Sequence, residues 1–121
     1  MTKEKLRILC VDDEEPIGHV LKAGLEMHGF AARFEPHSID AIKACLEFRP
    51  DLVLLDVDMP GKDGGQVAAE LASHPTLGRT PVIFLTSLAS KAKKSLSGET
   101  FLSKQTPMAE LAARIRAALQ P

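Results

Sequence analysis

Short apolar runs alternate along this chain with longer stretches whose apolar residues recur at helical spacing. The first run, Leu6-Arg7-Ile8-Leu9-Cys10-Val11, has strand length and ends abruptly in Asp12-Asp13-Glu14-Glu15. Pro16 suits a first helical turn, and Ile17, Val20, Leu21, Gly24 and Leu25 follow one helical face until Gly29 closes it. Ala31 to Glu35 predicts a second strand. Ser38 is placed to cap a helix with an inner stripe of Ile42, Cys45, Leu46 and Phe48, which stops before Pro50. Leu52-Val53-Leu54-Leu55 is too short for an ordinary helix and is bounded by Pro50-Asp51 and Pro60-Gly61, so it predicts a strand buried on both faces that ends at Asp56. A helix from about Gly64 to Ser73 would turn Val67, Ala68, Leu71 and Ala72 inward before His74-Pro75 breaks it. Pro81 to Leu85 is the next strand and delivers Thr86 and Ser87. Thr100 to Ser103 is the last strand and delivers Lys104. Thr106 is then placed to cap, and Pro107 to open, a helix facing inward through Met108, Leu111, Ala112, Ile115, Ala118 and Leu119.

Strands alternating with helices predict an α/β fold, a doubly wound five-stranded parallel sheet with helices on both faces. Right-handed crossovers put the carboxyl ends of all strands along one edge, where ligands gather in such sheets. Asp12, Asp13, Asp56, Thr86 and Lys104 therefore form one constellation. Ser87 to Glu99 is the exception to the pattern. Its large aliphatics are Leu88 and Leu96, so the fourth helix is predicted to be short or irregular.

With 121 residues and 13.1 kDa, one domain over residues 1–121 is expected, its core spanning about 6–119. No apolar run reaches the length of a membrane span, and Met1 to Lys5 lacks the apolar segment of a secretory signal, so the expected location is the cytoplasm. A formal net charge of −1 and the absence of Trp and Tyr argue against direct nucleic-acid binding. Cys10 and Cys45 fall on apolar positions and read as buried thiols, while His19, His28, His37 and His74 show no ligand spacing. The loop Pro60 to Gly65 lacks the GxxxxGK[ST] spacing of a phosphate cradle and reads as a turn.

Three packed carboxylates repel one another, and burial drives protons onto them unless a cation compensates. Mg²⁺ suits such an all-oxygen site, and a lysine opposite it completes a cradle for a phosphoryl group. Asp56 can then attack phosphorus in line, with Lys104 and the ion offsetting charge on the equatorial oxygens and Thr86 donating a hydrogen bond. The product is an aspartyl phosphate.

These residues resemble the receiver domains of two-component response regulators. The resemblance runs from Arg7 to Leu119 and rests on Val11-Asp12-Asp13-Glu14, on Asp56 with Met59-Pro60 and Asp63-Gly64, on Thr86, and on Lys104. It implies a flavodoxin-like strand order 2-1-3-4-5. It further implies Asp56 as phosphoacceptor, Mg²⁺ held by Asp12, Asp13, Asp56 and the backbone carbonyl of Asp58, and Thr86 and Lys104 contacting the phosphoryl group. Phe101 stands where the family carries its switch aromatic, coupled to Thr86. A histidine kinase or histidine phosphotransfer protein would be the donor, and no membrane is involved.

The chain departs from the family pattern in three places. Gln105 follows Lys104 where the family usually has a proline after a cis bond; a cis bond before a non-proline residue costs about 2.5 to 4 kcal/mol, so a trans peptide is the alternative way to aim Lys104, and the sequence leaves cis and trans open. Ser87 replaces the commoner alanine, and the span from Thr86 to Lys104 is about one helical turn short. Two rival readings follow from the same residues. A haloacid-dehalogenase-like phosphatase would use Asp56 and Asp58 as nucleophile and acid/base pair with Thr86 and Lys104 behind them, but Pro60 breaks that motif, no acidic pair follows Lys104, and there is no room for a cap. A receiver-like interaction module that is not phosphorylated would fit Gln105 and the short fourth helix, but not the retention of every acidic residue.

Overall fold

A computed structural model describes residues 5–87 and 100–120 of the chain. Five parallel strands form one sheet in the order β2-β1-β3-β4-β5: β1 Arg7–Val11, β2 Ala31–Glu35, β3 Leu52–Asp56, β4 Val82–Thr86 and β5 Thr100–Ser103. Four helices lie among the described residues: α1 Glu15–Met27, α2 Ala41–Phe48, α3 Gly64–Ser73 and α4 Met108–Ala118. The expectation of a short or irregular fourth helix falls on residues 88–99, outside the described residues.

Strand alternation sorts the aliphatic residues into two cores. Ile8, Cys10, Leu52, Leu54, Ile83 and Leu85 meet Leu21 and Leu25 of α1 and Leu111, Ala112 and Ile115 of α4. Leu9, Val11, Val53, Leu55 and Phe84 meet Ala41, Ala44 and Cys45 of α2 and Val67 and Leu71 of α3 on the opposite face. All five residues of β3 are buried, as its position in mid-sheet requires.

Several helix faces differ from expectation. On α1 the buried residues are Gly18, Leu21 and Leu25, while Val20 is 68% exposed. The reason is Phe34 of β2, whose ring lies where a Cβ on residue 18 would stand, so α1 is turned with a glycine against the sheet and Val20 points away. On α2 the fully buried residues are Ala41, Ala44 and Cys45, Ile42 and Phe48 pack partly buried against the same core, and Leu46 is exposed. Ala72 of α3 and Ala118 of α4 are exposed as well. Both proposed caps at Ser38 and Thr106 fail. Ser38 opens a short 3-10 turn, Ser38–Asp40, and spends its hydroxyl on another loop, while the Thr106 hydroxyl donates back to the Ser103 carbonyl at 2.7 Å and Pro107 occupies the cap position. The side-chain cap that does form was not expected: Asp63 Oδ1 accepts from the Gln66 N–H at 2.8 Å, and Gln66 Oε1 accepts from the Asp63 N–H at 2.9 Å.

Candidate functional site

The parity that sorts the cores also places the polar residues at the carboxyl edge of the sheet. Asp12 continues the register of Ile8 and Cys10, Asp56 that of Leu52 and Leu54, and Lys104 that of Leu102, so all three emerge on the α1/α4 face. Their backbones are pinned by the ladder. Asp12 N–H donates to the Glu35 carbonyl at 3.2 Å, Val57 N–H to the Leu85 carbonyl at 3.0 Å, and Lys104 N–H to the Thr86 carbonyl at 2.9 Å.

Lys104 lies across the ends of β1 and β3 with its side chain 6% exposed. Its Nζ is 2.8 Å from Glu14 Oε1, 3.1 Å from Asp12 Oδ2 and 3.2 Å from Asp56 Oδ2. The peptide that follows it is trans, since no cis bond occurs among the described residues. Glu14 and Asp12 Oδ1 accept aligned hydrogen bonds from the ammonium, whereas Oδ2 of Asp12 and Oδ2 of Asp56 lie close to it without accepting one. Those two contacts are thus attraction between charges rather than hydrogen bonds, and two buried carboxylate oxygens keep unsatisfied lone pairs. Asp12 Oδ1 also accepts from the Glu14 N–H at 2.9 Å, and Asp56 Oδ1 from the Asp58 N–H at 3.3 Å.

Asp13 is exposed, and its carboxylate completes a group with Asp12 and Asp56 whose ligand oxygens lie within 4.8 Å of one another. With Glu14 this makes four carboxylates around one buried ammonium, which leaves negative charge in excess. Burial raises the Asp56 pKa from 3.8 to about 7; the charge of Asp12 pushes the same way, and Lys104 pulls back. For Lys104, burial works against the charge, but the bonds to Glu14 and Asp12 and the charges of Asp12 and Asp56 outweigh it and raise its pKa. A hard divalent cation fits this donor set. It would use the two orphaned Oδ2 atoms and offset both the burial and the Asp12 charge that raise the Asp56 pKa.

Thr86 ends β4 on the opposite face, paired in register with Ser103, and is half-buried. Phe101 is on that face too. It pairs with Phe84, and the two rings stack at 4.8 Å with 17° between their planes. Asp58 is exposed in the loop after β3.

These features of fold and acidic edge coincide with a known family. A family model described as the response regulator receiver domain matches residues 8–116. The chain belongs to the response regulator receiver domain family. It is 38% identical over 121 residues to the uncharacterized transcriptional regulatory protein YkoG of Bacillus subtilis (strain 168), an alignment that covers 97% of this chain and 52% of that protein. The chain thus spans about half the length of that relative. Its fold is similar to the BeF3-activated N-terminal receiver domain of Klebsiella pneumoniae RstA, with TM-score 0.84, 34% identity and coverage of 95% of this chain and 99% of that one. It is also similar to a response regulator from Desulfuromonas acetoxidans, with TM-score 0.82, 26% identity and coverage of 94% and 96%. Receiver domains accept a phosphoryl group, generally bind Mg²⁺ in an acidic pocket, and interact with histidine kinases or phosphotransfer proteins. Membership in this family disfavours both the phosphatase reading and that of an unphosphorylated module. No helix among the described residues is long and apolar enough to cross a membrane.

One site residue, Glu14, and one separate cluster around His37 are not evident from the sequence. Glu14 was visible only as one of four adjacent acids, and the structure gives it the shortest contact to Lys104. His37, which showed no ligand spacing, lies with Glu35 and Asp40 in a second group of potential ligand atoms within 4.8 Å. There Glu35 is already engaged, by the His37 N–H at 3.0 Å and by Arg33 at 3.9 Å.

Proposed function

We propose that Asp56 is the phosphoacceptor of this receiver domain, taking a phosphoryl group from a histidine kinase or a histidine phosphotransfer protein in the cytoplasm. The observation that carries the reading is Asp56 Oδ2, a buried carboxylate oxygen 3.2 Å from the Lys104 ammonium that accepts no hydrogen bond. It is held ready for an electrophile rather than used in packing. In the transfer, an Asp56 oxygen forms a bond to phosphorus as the phosphorus–nitrogen bond to the donor imidazole breaks, and the electron pair leaves on that nitrogen. Asp56 must be ionised to attack. Burial opposes this and Lys104 favours it.

Asp12, Asp13, Asp56 and the backbone carbonyl of Asp58 would hold Mg²⁺, which supplies positive charge against the phosphoryl oxygens when bound. Lys104 offsets charge on the same oxygens from the β5 side. Thr86 contributes its hydroxyl from the end of β4 and Phe101 is the switch aromatic, a pairing supported by their shared face and by the adjacent strands that carry them. The donor would seat on the groove beside the site lined by Pro16, Ile17, Val20, Lys104, Thr106 and Met108, which gives the exposed Val20 a purpose. An output domain or partner downstream is expected, because the chain spans about half of a relative named as a transcriptional regulatory protein.

The test is incubation with acetyl phosphate and Mg²⁺ followed by intact-mass analysis and site mapping. One base-labile phosphoryl group per chain, on Asp56 and lost in Asp56→Asn, is expected. Unchanged labelling of that variant, or labelling of a serine or histidine, would refute the assignment.

A further inference from the structure

The loop between β3 and α3 carries Asp58, and its two ends are fixed independently of its middle. Gly64 N–H donates to the Val57 carbonyl at 2.9 Å, and the reciprocal Asp63–Gln66 bonds hold the far end. Between them the chain turns at Gly61, whose φ of +85° suits glycine, and the Pro60 carbonyl and Lys62 N–H on either side find their partner outside the loop. Ser38, a buried residue from the β2–α2 connection, meets both. Its Oγ donates to the Pro60 carbonyl at 3.0 Å and accepts from the Lys62 N–H at 3.1 Å. One hydroxyl thus joins the two backbone groups that flank Gly61, across more than twenty positions of sequence.

We propose that Ser38 is a positioning residue for the phosphoryl site: its hydroxyl clamps the middle of the Val57–Asp63 loop and so fixes the Asp58 carbonyl toward the cation held by Asp12, Asp13 and Asp56. The inference rests on the phosphoacceptor reading for its purpose, but its geometry does not. Among the described residues the Ser38 hydroxyl bonds to the Pro60 carbonyl and the Lys62 N–H rather than to the carboxylates or Lys104, so it acts through the loop. The surroundings of Gly61 point the same way. A Cβ there would stand 3.3 Å from Ile39 Cγ2 and 3.5 Å from Ser38 Oγ, so the loop and the 3-10 turn that opens at Ser38 are fitted to each other. Without the hydroxyl, the Pro60 carbonyl and Lys62 N–H are free to turn to water, and residues 58–62 lose their shared anchor while the ends of the loop hold.

Ser38→Ala and Gly61→Ala probe the clamp from its two sides, and Ser38→Thr restores the hydroxyl. Mg²⁺ affinity is measured by calorimetry, and the rate of phosphorylation by acetyl phosphate is measured as a function of Mg²⁺. The clamp predicts that the dissociation constant for Mg²⁺ rises roughly three- to tenfold in Ser38→Ala and Gly61→Ala, with substantial recovery in Ser38→Thr. It also predicts that the phosphorylation rate at saturating Mg²⁺ returns to within about twofold of the parent. Should Ser38→Ala fail to fold, Ser38→Cys, which keeps the side chain's shape with a weaker hydrogen-bonding group, carries the test. Unchanged Mg²⁺ affinity in the folded variants, or a lowered saturated rate at unchanged affinity, would overturn the proposal. Weakened Mg²⁺ binding in a protein whose parent is never labelled on Asp56 would instead refute the phosphoacceptor reading and leave the clamp standing.

Discussion

Within β3, Leu52 to Leu55 and Asp56 are buried to nearly the same degree, yet burial does opposite things to them. For the four aliphatic residues it removes apolar surface from water on both faces of the sheet, which is worth about 1.5 to 3 kcal/mol for each side chain. For Asp56 it removes water from a carboxylate and leaves Oδ2 without a hydrogen bond, beside a second buried carboxylate and one shared ammonium. Four residues of the strand hold the sheet together, and the fifth is held in place at some expense by them. A buried, unsatisfied carboxylate of this kind marks a candidate for chemistry, and a divalent cation would offset its charge.

The comparison can be broken first where it is strongest. Leu54→Ala should destabilise the protein by roughly 2 to 5 kcal/mol in urea unfolding, since it opens a void where β3 meets the α1/α4 core. Asp56→Asn, two residues along on the same face, should do the reverse: in Mg²⁺-free buffer at pH 8 it should raise stability. A destabilised Asp56→Asn would remove the contrast between the two ends of the strand.

The sign of the pH dependence sharpens the same contrast. The folded-state pKa of Asp56 is raised from 3.8 to about 7, so folding favours its protonated form. The stability this group confers is complete below about pH 4 and is lost as the pH rises through about 7. Without Mg²⁺, the advantage of Asp56→Asn over the parent should therefore grow between pH 5 and pH 8, by on the order of 1 to 4 kcal/mol. Added Mg²⁺ should shrink it. Lys104 behaves as a cation with a raised pKa, so its contribution stays intact below pH 10.5 and does not mask the effect.

A third comparison separates cradle from nucleophile. Lys104→Ala should leave Mg²⁺ affinity largely intact and slow phosphorylation by acetyl phosphate at least about tenfold, because the ammonium beside the carboxylates would, in the proposed transfer, offset charge on the phosphoryl oxygens. Parent-like rates in this variant would remove Lys104 from the chemistry. The smallest expected effect on the fold is that of Val20→Lys. Val20 is 68% exposed, so stability should change by less than about 0.5 kcal/mol. Transfer from a cognate phosphohistidine protein should nevertheless slow, while labelling by acetyl phosphate should not. Equal slowing with both donors would place the donor elsewhere.

The parts of the molecule that sequence made legible are those decided by strong periodicity. β3 could be read because four large aliphatics lie between two turn signals, and once the strands were placed, parity brought Asp12, Asp56 and Lys104 to one edge. What escaped was decided by tertiary fit. The face of α1 turns on the Phe34 ring against Gly18, and a glycine carries no hydrophobic signal. On α2 the fully buried positions are small, so Leu46 looked like core and is not. Ser38 has the composition of a cap, but its partners are Pro60 and Lys62, which no local rule connects to it. The Asp63–Gln66 box, by contrast, is a local signal, an acidic cap followed three positions later by a glutamine.

The measurement that bears most directly on the account is a carboxyl ¹³C titration of Asp56 by NMR, without and with Mg²⁺. The account predicts a midpoint near 7 in the metal-free protein, moving well toward acid when Mg²⁺ is added, as a cation takes over the compensation that a proton supplied. A midpoint near the ordinary aspartate value in the metal-free protein, unmoved by Mg²⁺, would contradict it.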